Sequence, residues 1–333
     1  MAWVDSTAIA GNKVLPVAMN TTHTMSAVHT NTIPLPPHEQ TAVRQLLDRH
    51  ATFWSSHRND DRRATFDLFI TGTPVAEGVE LEETIGDGIR GWWVQPQGWT
   101  QPVESAILYL HGGCYVLGSA AAYCGFASQI AVRAHATLFV LDYPLAPEHP
   151  FPAAPEAVLA AARWLAKSGV KQLAVVGDAA GGGLSLSALA SMVNSPNVPV
   201  PIASVVFSPW TDLSLSGASM VDPGVHDTLL TRDSLADAAA KYLGTTAARD
   251  SVASPLFGVP AGLPPIYIQV GKNELLLEDS TRYAIRAREQ GADVRLEVWG
   301  GLHHVFQLNV VELESSRIAL ERAGDFLEVH LRG

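Results

Sequence analysis

The chain has 333 residues, 47% hydrophobic and 17% charged, a balance that excludes a disordered polypeptide and supplies enough apolar side chain for a large interior. Its 22 basic and 33 acidic residues leave a formal charge of −11, a field that repels phosphate backbones, so nucleic acid is not an expected partner. Two cysteines ten residues apart, Cys114 and Cys124, make neither a disulfide framework nor a zinc site.

Residues 1 to about 35 read as a loose arm, ending in Ile33-Pro34-Leu35-Pro36-Pro37 without helical or strand period. The arm lacks a basic segment followed by a continuous apolar stretch, and no later run of about 18 to 20 residues is free of charge and proline. A cytoplasmic protein without a membrane span is the expectation. From His38 to Ser56 the apolar positions Val43, Leu46, Leu47, Ala51 and Trp54 recur at helical spacing and give one apolar face.

Short β-rich segments follow, Val79 to Thr84 and Ile89 to Val94, an antiparallel opening. The chain then alternates. Strands at 106–110, 138–141 and 173–176 are separated and followed by helices at 123–134, 155–166 and 181–192; strands at 202–207, 266–270 and 294–299 complete eight, with helices at 279–289 and 313–327. Strands apolar on both faces with helices between them predict an α/β fold, a central, mostly parallel eight-stranded sheet flanked by helices. Residues 211–246 interrupt the alternation and read as an excursion above the sheet that, with the helix at 38–56, forms a helical cap. The expected organisation is 1–56 arm and cap helix, 57–210 first part of the main domain, 211–246 cap excursion and 247–333 second part.

Two glycine clusters carry chemistry. In Gly177-Asp178-Ala179-Ala180-Gly181 an apolar strand turns sharply into a helix, the setting of a Gly-x-Ser-x-Gly nucleophile elbow, in which residues two positions either side must be small. Alanine stands where the nucleophile belongs. The N–H of Ala180, at a helix N-terminus, would favour a developing oxyanion. A phosphate loop fits poorly, since no Lys-Ser or Lys-Thr follows and Gly-x-Gly-x-x-Gly is not matched. The second cluster, His111-Gly112-Gly113-Cys114, follows a strand and offers main-chain donors unobstructed by Cβ atoms.

These motifs resemble those of the hormone-sensitive-lipase family of α/β-hydrolases, the bacterial family IV esterases, from about residue 75 to the C-terminus. The family pattern His-Gly-Gly-Gly meets His111 to Cys114, Asp-Tyr-Arg-Leu-Ala-Pro-Glu meets Asp142 to Glu148, and Gly-Asp-Ser-Ala-Gly-Gly meets Gly177 to Gly182. The chain departs from it at Cys114, Pro144 and Ala179. The resemblance implies a Ser-His-Glu carboxylesterase acting on short or medium acyl esters, with Glu274 as the acid after strand 266–270 and His304, not His303, as the base. Glu278 and Asp279 read instead as a helix N-terminus. Gly112, Gly113 and Ala180 are the expected oxyanion donors, and Cys114, Tyr115, Trp210 and Trp299 the expected pocket walls.

Adjacent His303 and His304 lack the third ligand a metal needs, so no metal and no cofactor is expected, and the remaining histidines read as solvated surface groups. The partner expected is a small-molecule ester. A homodimer through the last strand or terminal helix is a further expectation. Because acid, base and oxyanion loop all stand in place, Ala179 reads as an engineered serine replacement that leaves an inactive form able to hold intact substrate. Two alternatives stay open: a catalytically dead small-molecule receptor on the same scaffold, as in the plant gibberellin receptors of this family, and a lactonase or amidase with the same machinery.

Overall fold

The computed structural model describes residues 30–98, 103–193, 195 and 198–332. Of the arm expected over residues 1 to about 35, residues 1–29 lie outside them, and the described part holds a strand rather than loose chain. The first described element is a strand, β1 (Thr30–Ile33), followed by the helices α1 (Gln40–Ser56) and α2 (Arg62–Ile70). Then come β2 (Val79–Gly86), β3 (Ile89–Pro96), β4 (Ser105–Leu110), α3 (Ala120–Arg133), β5 (Thr137–Leu141), α4 (Ala153–Lys167) and β6 (Gln172–Asp178). The chain closes with α5 (Ala179–Val193), β7 (Ala203–Phe207), α6 (Arg232–Leu243), β8 (Ile266–Gly271), α7 (Leu277–Glu289), β9 (Val294–Trp299) and α8 (Glu314–Arg332).

The strands form one sheet in the order β1-β9-β8-β7-β6-β4-β5-β3-β2. It has nine strands among the described residues, not the eight expected. Every pairing is parallel except those of β3 with β2 and β5. The strand missed is β1. Thr-Asn-Thr-Ile shows no apolar alternation, and three of its four residues are exposed; it exists by pairing with β9, Thr30 opposite Leu296 to Ile33 opposite Trp299. β9 is therefore paired on that side by Thr30–Ile33, so that β1 and not β9 is the edge strand there.

β4 to β9 are almost wholly buried, which is why they read as continuous apolar runs. One apolar cluster, with Leu108, Val175, Val206 and Ile268, lies on one face of the sheet, and another, with Tyr109, Val176, Val205 and Tyr267, on the other. α2 is the helix the sequence reading passed over. Asp61 caps it by accepting the Ala64 N–H at 2.8 Å, and Phe66, Phe69 and Ile70 turn inward. A third cluster packs Val43 and Leu46 of α1 against Trp299, Leu302 and Phe306. No helix among the described residues is long and apolar enough to cross a membrane.

Sequence order reverses between β4, flanked by β5 and β6, and the loops at the carboxyl ends of these strands open the crevice where such sheets take ligands. Strand register decides what meets there. Leu110 pairs with Gly177, bringing the His111 loop beside the elbow, and Gly271 pairs with Trp299, bringing the Glu274 loop beside His304.

Candidate active site

Ala179 begins α5 directly after β6, with φ at 50°, in the left-handed region that a β-carbon strains. The turn closes because its neighbours are glycine: a Cβ on Gly177 would strike Ser185 Oγ at 2.6 Å and the Gly181 carbonyl, and one on Gly181 would strike the carbonyls of Leu110 and His111. Strand, helix and oxyanion loop thus meet backbone to backbone. Ala180 lies in the first helical turn, whose N–H groups have no partner within the helix.

His304 Nδ1 faces Glu274 Oε1 at 3.2 Å, and both side chains are buried. An Nδ1–H donated to the carboxylate leaves Nε2 as the basic nitrogen. Burial alone would lower the His304 pKa, but the charge of Glu274 and its hydrogen bond outweigh that and raise it, with Asp227 and Asp178 adding to the rise. Glu274 is held from its other oxygen, Oε2, which accepts from the Gly271 N–H at 3.0 Å and from Ser208 Oγ at 2.8 Å. Ser208 Oγ in turn accepts the Val305 N–H at 3.1 Å. One hydroxyl, at the end of β7, ties Glu274 to the backbone of Val305, the residue after His304.

His303 points elsewhere. Its Nε2 meets Asn309 Oδ1 at 3.0 Å, its ring lies edge to face with His50, and burial pushes its pKa down to about 3. His50 is itself buried, 7% exposed, against the expectation of a solvated histidine, because α1 folds it onto Phe69. Among the described residues no group of three or more His, Cys, Asp or Glu side chains is arranged to hold a metal.

The loop expected to supply oxyanion donors departs from that expectation at Gly112. Its N–H donates to Asp178 Oδ1 at 2.9 Å and is not available to a ligand. Asp178 also accepts from Tyr109 at 2.6 Å and Tyr123 at 3.1 Å, yet burial pushes its pKa up to about 6. Gly113 and Cys114 line the cavity, and their N–H groups make no hydrogen bond among the described residues. His111 is a packing residue, stacked on Tyr143 with centroids 4.3 Å apart; its pKa is driven down to about 4 by burial. Tyr143 hydrogen-bonds the His111 carbonyl at 2.7 Å, so the Asp142 to Glu148 motif braces the loop from behind.

The cavity measures about 350 Å³ and is lined by Ala179, Gly113, Cys114, Asp178 and His304 on the sheet side. Trp54 of α1, Phe66 and Phe69 of α2, and Leu229, Leu230 and Ala238 of the excursion and α6 close it from above. Tyr115 and Trp210, expected as walls, are not among its lining residues. Tyr115 is 1% exposed and stacks on Tyr242 at 3.9 Å and 7°; Trp210, equally buried, tilts against it. Both support the wall from within the core, and Trp299 lies with Phe306 under α1. Cys114 does line the cavity, and burial raises its thiol to about 12, so it is protonated and not a nucleophile.

The α/β-hydrolase fold family profile matches residues 107–308, a span that holds both glycine clusters, Glu274 and His304. The chain belongs to the hormone-sensitive-lipase family of α/β-hydrolases. It is 38% identical over 234 residues to an acetyl-hydrolase of Streptomyces hygroscopicus, covering 69% of this chain and 78% of that protein. An esterase of Acinetobacter venetianus is 31% identical over 242 residues, covering 72% and 78%. A crystal structure of an esterase from the bacterial hormone-sensitive lipase family superposes with a TM-score of 0.79 at 34% identity, covering 86% of this chain and 98% of that one.

Four positions escaped the sequence reading: Arg63, Asp178 as a loop anchor, Ser208 and Asp227. Arg63 of α2 donates to the Val116 carbonyl at 2.9 Å, the Ala146 carbonyl at 3.0 Å and both Glu148 oxygens at 2.9 and 2.7 Å. Asp227 accepts the N–H groups of Leu229 and Leu230, each at 2.9 Å, and of Leu275 at 3.0 Å. Only Asp178 lay within a quoted motif; the others come from elements distant in sequence.

Proposed function

We propose that this chain is a carboxylic ester hydrolase of the Ser-His-Glu type, held in an inert form by alanine at position 179 in place of serine. The observation that carries the reading is the coincidence, in one apolar cavity, of the φ 50° elbow at Ala179, the His304–Glu274 pair and the open N–H groups of the loop at Gly113. The names acetyl-hydrolase and esterase borne by relatives support it.

With serine at 179, His304 Nε2 would take the hydroxyl proton as the oxygen attacks the ester carbonyl, while Glu274 stabilises the imidazolium. The tetrahedral oxyanion would be held by the N–H groups of Gly113, Cys114 and Ala180. His304 would then protonate the departing alkoxide, leaving an acyl-enzyme, and activate water to release the acid. With alanine no covalent step is open; losing a triad nucleophile costs about six powers of ten in turnover. The cavity survives, so the chain as it stands holds uncleaved ester.

The test is Ala179→Ser assayed with short p-nitrophenyl esters. Hydrolysis that His304→Ala then abolishes supports the esterase. No gain over the alanine chain sinks it, and tight small-molecule binding indifferent to His304→Ala would point to a receptor.

A further inference from the structure

A second pocket, of about 290 Å³, lies behind the first. It is lined by Leu46, Arg49, His50 and Phe53 of α1, by Leu68, Phe69, Gly72 and Thr73 around the end of α2, and by Leu308, Asn309 and Glu312. Two side chains, Phe69 and Leu308, line both pockets, and no other described residue does. Where they stand, the end wall of the ester cavity is one side chain thick.

We propose that Phe69 and Leu308 are the end stop that limits the hydrocarbon arm of the ester, and that the second pocket is the space a longer arm enters once the stop is cut back. This rests on the ester reading of the first cavity and names the substrate feature that cavity measures.

The stop is rigid, as a length gauge must be. Phe69 is fixed by three rings, His50 edge-on at 4.9 Å, Trp54 at 5.2 Å and Phe53 at 5.5 Å. Leu308 sits on a pinned backbone: its N–H donates to the Val305 carbonyl at 3.1 Å and its carbonyl accepts Thr73 Oγ1 at 2.7 Å. The space beyond is lined by apolar and polar side chains alike, His50, Thr73 and Asn309 among the polar ones. Leu46, Phe53 and Leu68 supply apolar wall, while the Arg49–Glu312 pair at 3.2 Å marks a polar rim. Each methylene buried there corresponds to about a fourfold gain in affinity.

The measurement is the dissociation constant of uncleaved p-nitrophenyl esters, acetate to dodecanoate, for the alanine chain and for its Phe69→Ala and Leu308→Ala variants. A second series of acetate esters varies the alcohol arm. In the parent, affinity climbs with chain length and then breaks. In the variants the break moves several methylenes outward, and the longest esters gain at least tenfold relative to butyrate. Movement in either series supports the stop and identifies the arm. Because Phe69 also packs α1 on α2, circular dichroism monitors folding, and Phe69→Leu serves if Phe69→Ala unfolds. A break that stays put in folded variants that still bind butyrate overturns the stop while leaving the ester reading intact. Absence of binding for every ester, with no hydrolysis by Ala179→Ser, overturns both.

Discussion

Gly112 gives its N–H to the carboxylate of Asp178, the residue immediately before Ala179, at 2.9 Å. The turn at Ala179 and the His111 to Cys114 loop are thereby one unit: the same turn that presents position 179 also sets where Gly113 and Cys114 lie. The fit is close, since a Cβ on Gly112 would meet Tyr123 Oη at 2.9 Å and the Asp178 carboxylate.

That unit has a pH signature. The Asp178 carboxyl is raised from its ordinary value to about 6, so between about pH 4 and 6 the native state holds a proton the unfolded chain has released. Stability contributed by this group therefore falls as pH rises through that window, each tenfold difference in proton affinity being worth about 1.4 kcal/mol. Asp178→Asn should flatten the profile there, measured by urea unfolding at several pH values. Asp178→Ala, which leaves the buried Gly112 N–H and two tyrosine hydroxyls without their acceptor, should lose about 1–3 kcal/mol per unsatisfied group.

In the Ala179→Ser protein, kcat/KM should rise with pH as His304 loses its proton, with an inflection above the ordinary histidine value of 6.5. The charged groups that act on His304 are Glu274, Asp227 and Asp178. Glu274→Gln removes the largest raising contribution, so the acid limb should move to lower pH while kcat falls by roughly 10³- to 10⁴-fold. An unmoved limb would show that another group is the base.

Arg63 fastens α2 to two motif loops with four hydrogen bonds from one guanidinium. In the Ala179→Ser background, Arg63→Ala should lower kcat/KM by about 10- to 100-fold through displacement of the oxyanion loop, with little change in melting temperature. Arg63→Lys should recover little, because a point charge cannot reproduce the planar fork. Hydrogen exchange at Val116 and Leu117 reads the loop directly.

Asp227 joins the excursion to the backbone beside Glu274. Replacement by alanine releases the segment carrying Leu229 and Leu230 and removes a negative charge acting on His304. KM should rise by about tenfold, and the acid limb of the Ala179→Ser profile should shift downward. A kcat loss without either change would contradict this role.

The parallel strands, the alternating helices and the elbow were legible because each is written locally: Leu173 to Val176 is continuously apolar, and Gly177 and Gly181 flank a turn no larger residue could make. β1 was not, since Thr30 to Ile33 carries no pattern and is a strand only because the β9 edge receives it. α2 was obscured by its polar start, Arg62 and Arg63, and by a short length that packing, not propensity, sustains. Tyr115 and Trp210 were placed in the cavity on proximity to the motifs, yet aromatic rings next to a site serve equally as its foundation.

The sequence by itself determined the fold class, and it singled out the turn at Ala179, Glu274 and His304 as the positions on which the proposed chemistry rests. These depend on residue type and short spacing. Only the tertiary structure decided that Gly112 is committed to Asp178, that Ser208 and Asp227 hold the Glu274 and His304 loops, and that Phe69 and Leu308 line both cavities. Those relations join residues tens to hundreds of positions apart. They follow from strand register and helix packing, whose small displacements decide which hydrogen bond is made.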